Sequence, residues 1–217
     1  MGVQVPPRAP YAMTFNYNDN YGVIDNFLND SEINYLVDHF KTWDTTPIGE
    51  GTCYGVDHKH PDNDWYLENF FNKYIKKVTN KDNLHTVFAM FADFEDSFQI
   101  HTDIKPLPEY GEGIKHYASF MIPVSIDNDP TQCEKNCTLF FGNVEHTIEN
   151  HDYSHRDWQD LVPHSRHKFH LHECERIIQW KRGSLIWWNS HFYHSGADPK
   201  AIGIRTKQMF VIHTYVK

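Results

Sequence analysis

The sequence lacks any apolar run approaching the roughly 20 residues that a membrane-spanning helix requires. It also lacks a secretory hydrophobic region near its start. We therefore expect a protein without a membrane contact, located in the cytoplasm. Residues 1–12 show no periodicity, and we interpret them as a non-native or disordered leader, with Met13 as the true start.

Cysteine is scarce, with Cys53, Cys133, Cys137 and Cys174 as the four thiols of a 217-residue chain. This number is too small for a disulfide scaffold, so we expect reduced thiols. Cys133 and Cys137 are spaced like half of a zinc site, but no second Cys pair completes it.

Basic residues are fewer than acidic ones, with 20 Lys and Arg against 29 Asp and Glu and a formal net charge of −9. Contacts to phosphates need clustered Lys and Arg, so the charge disfavours a general nucleic-acid binder. We expect a small-molecule or peptidyl substrate, and the oligomeric state stays open.

Apolar periodicity predicts two helices, followed by a series of strands. Asp30 or Ser31 caps a helix with apolar positions at the 3.6-residue period, and a second helix runs from about Asp64 to Val78. From residue 85 the chain consists of short aromatic or β-branched runs, namely 85–94, 97–103, 116–126, 137–143, 176–180, 184–189 and 207–216. This order predicts an α+β, mainly β fold, in which many short strands favour a sandwich or jelly roll.

We find no linker, so residues 13–217 are interpreted as one domain, with helical support at about 30–80 and a β core at about 85–217. Residues 143–173 are polar and rich in His, and they interrupt the strand series. We interpret them as an insertion with at most a short helix around Asp157 to Leu161.

The chain contains three His-x-Asp pairs, which are His60/Asp62, His101/Asp103 and His155/Asp157. About one is expected by chance, so the pattern alone carries little weight. Side chains two apart on a strand point to the same face. Only His101 and Asp103 terminate a predicted strand, with Phe98 and Ile100 on its opposite face. A pair of surface residues at a strand end remains the alternative.

The C-terminal region supplies two further candidates for this site. His194 follows the predicted strand that ends near Trp188, within a turn formed by residues 194–196, and Arg205 begins the next strand. Two imidazoles and one carboxylate form the facial triad of non-haem Fe(II) oxygenases. A guanidinium can pair bidentately with the carboxylate of a dicarboxylic cosubstrate.

This ordered set of four residues resembles the 2-oxoglutarate and Fe(II)-dependent dioxygenases, and more weakly their prolyl-hydroxylase-like branch. The resemblance spans residues 85–217 and implies a double-stranded β-helix, a cupin-like jelly roll, with N-terminal supporting helices. It implies that His101, Asp103 and His194 hold Fe(II) and that Arg205 holds the distal carboxylate of 2-oxoglutarate. His191 competes with His194 as the third ligand.

Three residues that share a strand face with these candidates have open roles. Tyr117 either donates its hydroxyl to the same carboxylate or is a core tyrosine bonded elsewhere. Lys207 and Met209 share the parity of Arg205 and either line the cavity or, for the lysine, lie exposed on the strand.

The resemblance implies that O2 and 2-oxoglutarate are consumed, that succinate and CO2 are released, and that a substrate C–H bond is hydroxylated or otherwise oxidised. We expect a prolyl or other amino-acid side chain first, a small metabolite second and an alkylated base third. Residues 49–63 and 104–115 are candidate lids over the site.

Two other classes of function remain in competition. The same barrel also serves as a non-catalytic binding or structural module. Alternatively, the protein is a cupin-like metal enzyme or a zinc protein that uses the His residues of the insertion, which are His151, His155, His164, His167, His170 and His172.

Overall fold

The computed structural model describes residues 20–48, 51–103, 114–143, 157–168 and 171–217. These ranges contain ten strands: β1 Tyr21–Ile24, β2 Thr45–Ile48, β3 Gly51–Val56, β4 Leu84–Phe94, β5 Lys115–Ile126, β6 Cys137–Asn143, β7 His172–Gln179, β8 Leu185–Asn189, β9 Tyr193–Gly196 and β10 Lys207–Val216. The helices are α1 Asp30–Phe40, α2 Asn63–Tyr66, a π-helical segment Leu67–Lys76, α3 Lys77–Thr79 and α4 Asp157–Leu161, with 3₁₀ helices at Pro130–Lys135 and Pro163–Lys168.

The helices before residue 80 back the outer face of a large sheet. Helix α1 begins at the N-cap Asn29, whose side chain accepts from the N–H of Glu32 while the Glu32 carboxylate accepts from the N–H of Asn29. This capping box places the cap one residue earlier than predicted. The second predicted helix is present as the continuous run from α2 through the π-helical segment to α3. Aromatic side chains such as Phe40, Phe70 and Phe210 pack between these helices and the sheet.

Two antiparallel sheets form the β core. The seven-stranded sheet has the order β1-β8-β5-β10-β4-β3-β2, and the smaller sheet has the order β7-β6-β9. A second apolar cluster, which includes Met121, Phe140, Trp188 and Met209, contains side chains from both sheets. The mainly β jelly roll with supporting N-terminal helices is therefore confirmed.

Several local predictions differ from the structure. Residues 97–103 do not form a strand, because only His101 makes a β-bridge, to His194. Their faces also differ from the predicted ones, since Phe98 is 51% exposed whereas Ile100 is fully buried. His194 lies in strand β9 rather than in a turn. The segment 51–56 is strand β3, paired with β4, so it is not a lid.

Other expectations have mixed outcomes. The short helix predicted around residues 157–161 is present as α4. Residues 1–12, Met13, the lid candidates 49–50 and 104–113, and residues 144–156 and 169–170 of the insertion lie outside the described residues. In the parts of the chain that the structure describes, no helix combines the length and the apolar character needed to cross a membrane.

Candidate metal and cosubstrate site

His101, Asp103 and His194 come together in the structure. Each offers one ligand atom, and these atoms all lie within 4.8 Å of one another. Nε2 of His101 is 3.5 Å from Oδ1 of Asp103, and Nε2 of His194 is 3.6 Å from Oδ2. Within the described residues no other group of three His, Cys, Asp or Glu side chains is close enough to hold a metal ion.

Backbone hydrogen bonds fix the relative positions of these three residues. The N–H of His101 donates to the carbonyl of His194 at 3.1 Å, and the N–H of His194 donates to the carbonyl of His101 at 3.0 Å. The N–H of Asp103 donates to the carbonyl of Ser190 at 3.0 Å. The segment that carries the first two ligands is therefore attached to the segment that carries the third.

Both imidazoles are oriented through Nδ1. Nδ1 of His101 lies 2.6 Å from the carbonyl of Gln99, and Nδ1 of His194 lies 3.1 Å from the carbonyl of Phe192. A carbonyl can only accept, so the neutral form of either ring carries its proton on Nδ1. Nε2 then carries the free lone pair and lies 3.5 Å from the Asp103 carboxylate in His101 and 3.6 Å in His194, and a free Nε2 lone pair is what a metal ligand needs.

The Asp103 carboxylate is buried, with 9% of the residue exposed. Its Oδ2 accepts the indole N–H of Trp188 at 2.7 Å, and Nδ1 of His213 lies 3.6 Å from the same oxygen. Burial by itself raises the pKa of Asp103, but the neighbouring His194 and His213, with the polar side chains of His101 and Ser119, hold this pKa well below its usual value.

Burial dominates the protonation of His194. It lowers the pKa of the imidazole to about 4, although Asp103 opposes the shift. At neutral pH the site therefore combines an ionised carboxylate with a neutral imidazole at His194. This donor set of two nitrogens and one carboxylate oxygen suits a divalent transition metal such as Fe(II).

The three residues line a pocket between the two sheets. Its walls are mostly apolar, formed by Met90, Phe94, Phe98, Met121, Trp180, Trp188, Met209 and Val211. The polar side chains that line the same pocket are Asp96, Ser97, Thr138, Lys207 and His213. An apolar pocket with few converging polar groups is typical of a small-molecule site.

Lys207 is the cationic side chain of this pocket. It is only 2% exposed, and its ammonium donates to the hydroxyl of Ser97 and to the carbonyl of Ala197. Burial lowers the pKa of Lys207 to about 8, against the opposing effect of Asp198 and Asp96. A side chain on Gly196 would place its Cβ 3.0 Å from the ammonium, so glycine keeps the space beside Lys207 open.

The prediction that Arg205 lies inside the barrel is wrong. Arg205 is exposed, and its backbone N–H, together with that of Thr206, donates to Oδ1 of Asp127. Strand β10 begins only at Lys207, so the alternation that predicted an inward side chain does not extend back to residue 205. Of the roles left open for Lys207 and Met209, lining the cavity is the one found, because both residues line the pocket.

Of the two roles left open for Tyr117, the structure supports that of a core tyrosine, since Tyr117 is not among the residues that line the pocket. Where β5 pairs with β10, Ser119 lies opposite His213, and His116 lies opposite Tyr215. The single residue Thr214 of β10 therefore faces two residues of β5, Tyr117 and Ala118. This β-bulge interrupts the alternation of side chains along β5. Tyr117 consequently packs in the cluster beneath the helices, where Lys81 lies 5.0 Å above its ring.

The other candidate ligands do not converge. His191 is exposed, and its N–H donates to the side chain of Asn189. His60 and Asp62 bond to each other within a turn. Three of the six His residues named for the insertion lie outside the described residues, namely His151, His155 and His170.

The four cysteines are buried free thiols. Burial raises the pKa of Cys133 to about 11 and that of Cys137 to about 12, which disfavours the thiolate form that zinc binds.

Sequence reasoning missed two side chains that contact Asp103. Trp188 was used only to mark a strand end, and the strand pattern held no signal for its indole donor. His213 shares the parity of Lys207 and Met209 on β10, so the alternation that placed those two residues could have found it.

Comparison with known proteins shows which solved structures share this fold. No family model matches the chain, and no curated protein matches it in sequence. Among solved structures, the non-heme alpha ketoglutarate dependent epimerase SnoN from nogalamycin biosynthesis is similar with a TM-score of 0.56 and 10% identity, over 92% of this chain and 79% of that one. A 2OG-Fe(II) oxygenase family oxidoreductase from Burkholderia pseudomallei is similar with a TM-score of 0.56 and 9% identity, over 91% of this chain and 84% of that one.

A Pseudomonas putida prolyl-4-hydroxylase is also similar, with a TM-score of 0.50 and 10% identity, over 91% of this chain and 92% of that one. All three similarities cover nearly the whole chain at identities too low to carry a function. The chain therefore has the fold of the 2-oxoglutarate and Fe(II)-dependent oxygenases.

Proposed function

We propose that the protein is a non-haem oxygenase that uses Fe(II), 2-oxoglutarate and O2 to oxidise an aliphatic C–H bond. The observation that carries the proposal is the convergence of His101, Asp103 and His194 on one point of a pocket that also holds the buried Lys207. The fold shared with solved oxygenases supports it.

The residues of the pocket fit both Fe(II) and 2-oxoglutarate. The two Nε2 atoms and the Asp103 carboxylate would hold a divalent ion through three donors, and such a set would leave coordination positions open for reagents. Lys207 is a buried cation in the same pocket, and glycine at position 196 leaves room beside it. We assign the distal carboxylate of 2-oxoglutarate to Lys207, in place of Arg205.

Bound iron with its cosubstrates supplies the oxidation, in which substrate C–H, O2 and 2-oxoglutarate give C–OH, succinate and CO2. The protein's own residues provide geometry. Trp188 holds one carboxylate oxygen of Asp103 through its indole N–H, and the carbonyls of Gln99 and Phe192 hold the two imidazole rings. The methionines and aromatic rings of the pocket exclude water from the reacting centre.

For the substrate we propose a prolyl or other amino-acid side chain, free or in a peptide, with the similarity to a prolyl-4-hydroxylase as support. A small metabolite is the second candidate. The similarity to SnoN, an epimerase from nogalamycin biosynthesis, and the apolar pocket favour it.

A turnover screen tests the proposal. Purified protein is supplied with Fe(II), ascorbate, 2-oxoglutarate and air, and succinate is measured with pools of peptides and of small metabolites. We expect succinate above the level given by Asp103→Ala, and a further increase with the pool that contains the substrate. Equal succinate from the two proteins in every pool would contradict the proposal.

A further inference from the structure

Residues 157–168, a described segment of the polar insertion, contact the segment that leads into His101. We propose that these residues, which we name the clamp, position His101 and thereby set the metal affinity of the site. The inference rests on the proposed function only in requiring that the site binds a metal ion. It gives the insertion a role that its composition does not suggest.

The clamp holds both backbone polar groups of Ile100, the residue before His101. The N–H of Ile100 donates to Oγ of Ser165 at 2.9 Å, and the ammonium of Lys168 donates to the carbonyl of Ile100 at 2.6 Å. Residue 100 lies outside the ten strands, so no β-ladder satisfies these groups. Buried backbone groups need partners, and here the clamp supplies them.

The clamp also encloses the side chain of Ile100. This side chain is fully buried in an apolar cluster that includes Trp158 and Val162 of the clamp and Leu139 and Phe141 of strand β6. Backbone and side chain of the residue next to His101 are therefore both fixed by the same short segment. A shift of Ile100 would break the packing and the two hydrogen bonds together.

A second set of contacts connects the clamp to the His194 side of the site. The carbonyl of Phe98 accepts from Nε2 of His164 at 3.0 Å and from Oγ of Ser195, the residue after His194, at 2.8 Å. The N–H of Asp198 donates to the carbonyl of Leu161 at 2.7 Å. The clamp thus bonds to the segments that carry both imidazole ligands.

Positioning matters because metal ligation tolerates displacements of only about 0.5 Å. The ring of His101 is about one-third exposed, whereas that of His194 is buried, so His101 has less packing of its own to hold it. Groups that orient a ligand from outside the coordination sphere typically change metal affinity by roughly 10–100-fold when removed. We expect the clamp to act in this range.

The test compares Ser165→Ala combined with Lys168→Met against the matched control Ser184→Ala combined with Lys135→Met. Ser184 is equally buried but donates to the carbonyl of Lys181, and Lys135 also ends a 3₁₀ helix but is exposed. Isothermal titration with Co²⁺ alone gives the dissociation constant, and thermal unfolding of the metal-free proteins gives Tm.

We expect the clamp variant to bind Co²⁺ roughly 10–100-fold more weakly than wild type. The control should stay within about twofold, because it changes no group near the site. A folded clamp variant with wild-type Co²⁺ affinity would overturn the inference, even with a lower Tm, because the segment would then be only structural. If the combined variant does not fold, the Co²⁺ affinity of Lys168→Met alone decides the test. Methionine keeps most of the aliphatic part of the partly exposed Lys168 side chain, so this variant should fold.

The wild-type titration separates this inference from the proposed function. Wild-type protein that binds Co²⁺ no better than His101→Ala would contradict the metal site itself, and both proposals with it. Tight binding by the wild type, unaffected by the clamp substitutions, would remove only the clamp.

Discussion

His101 and His194 exchange a pair of backbone hydrogen bonds, at 3.1 and 3.0 Å, although they lie 93 positions apart in the sequence. This bridge places their rings 4.4 Å apart, with Asp103 against both Nε2 atoms. The geometry of the candidate metal site is thus a property of the backbone pairing between the two segments.

Removing the indole donor of Trp188 should weaken metal binding. Trp188→Phe keeps an aromatic ring in the pocket but deletes the N–H that Asp103 accepts at 2.7 Å in a buried environment. We expect a roughly 10–100-fold higher dissociation constant for Co²⁺.

Trp180→Phe is the matched control. Trp180 is also buried and lines the same pocket, but its indole N–H donates to Thr138. If the two variants lose Co²⁺ affinity equally, the contact between Trp188 and Asp103 has no special role.

Substitutions of Lys207 and of Arg205 should differ in their effect on the affinity for 2-oxoglutarate. A hydrogen bond to a charged partner contributes about 1.5–3 kcal/mol, so Lys207→Met should weaken binding of 2-oxoglutarate to the Co²⁺-loaded protein roughly 10–150-fold. Arg205→Met changes an exposed side chain outside the pocket and should leave the affinity within about twofold. The reverse ranking would restore Arg205 as the anchor.

Lys207 should also reduce the stability of the folded protein at neutral pH. The pKa of Lys207 is about 8 in the fold against 10.5 for an unperturbed lysine, so the unfolded state binds more protons between these values. The shift corresponds to a destabilisation on the order of 3 kcal/mol below about pH 8, which fades as the pH rises to about 10.5.

Lys207→Met should therefore unfold at a higher denaturant concentration than wild type at pH 7, and the difference should narrow towards pH 10. Chemical denaturation across this pH range measures both. An unchanged or lower stability at pH 7 would mean that the hydrogen bonds of the ammonium to Ser97 and Ala197 outweigh its burial.

The hydroxyl of Tyr117 should not contribute to the binding of 2-oxoglutarate. Its ring packs beneath the helices, on the side of the sheet opposite the pocket. Tyr117→Phe should therefore leave the affinity for 2-oxoglutarate within about twofold of wild type. A loss comparable with that of Lys207→Met would show that the hydroxyl reaches the cosubstrate.

The long strands and helix α1 could be predicted because their apolar periodicity is strong. The runs 137–143 and 207–216 coincide with β6 and β10. Strands β1, β2 and β9 have four residues each, which is too short for an alternation to stand out, and their pairing partners are distant in sequence.

The convergence of the candidate metal ligands was predicted from order and residue type, and the structure brings them together. The faces of Arg205 and Tyr117 could not be predicted, because face assignment by parity holds only inside an unbroken strand. Arg205 precedes the first residue of β10, and a bulge beside Tyr117 reverses the face of that residue. Neither the strand start nor the bulge has a signal in the local sequence.

The most direct test of the central claim is an anaerobic titration of the metal-free protein with Fe(II) followed by 2-oxoglutarate, monitored by visible absorption. We expect a weak charge-transfer band that appears only when both are present and that Asp103→Ala lacks. Well-folded wild-type protein that gives no such band would contradict the oxygenase account and favour a non-catalytic jelly-roll module.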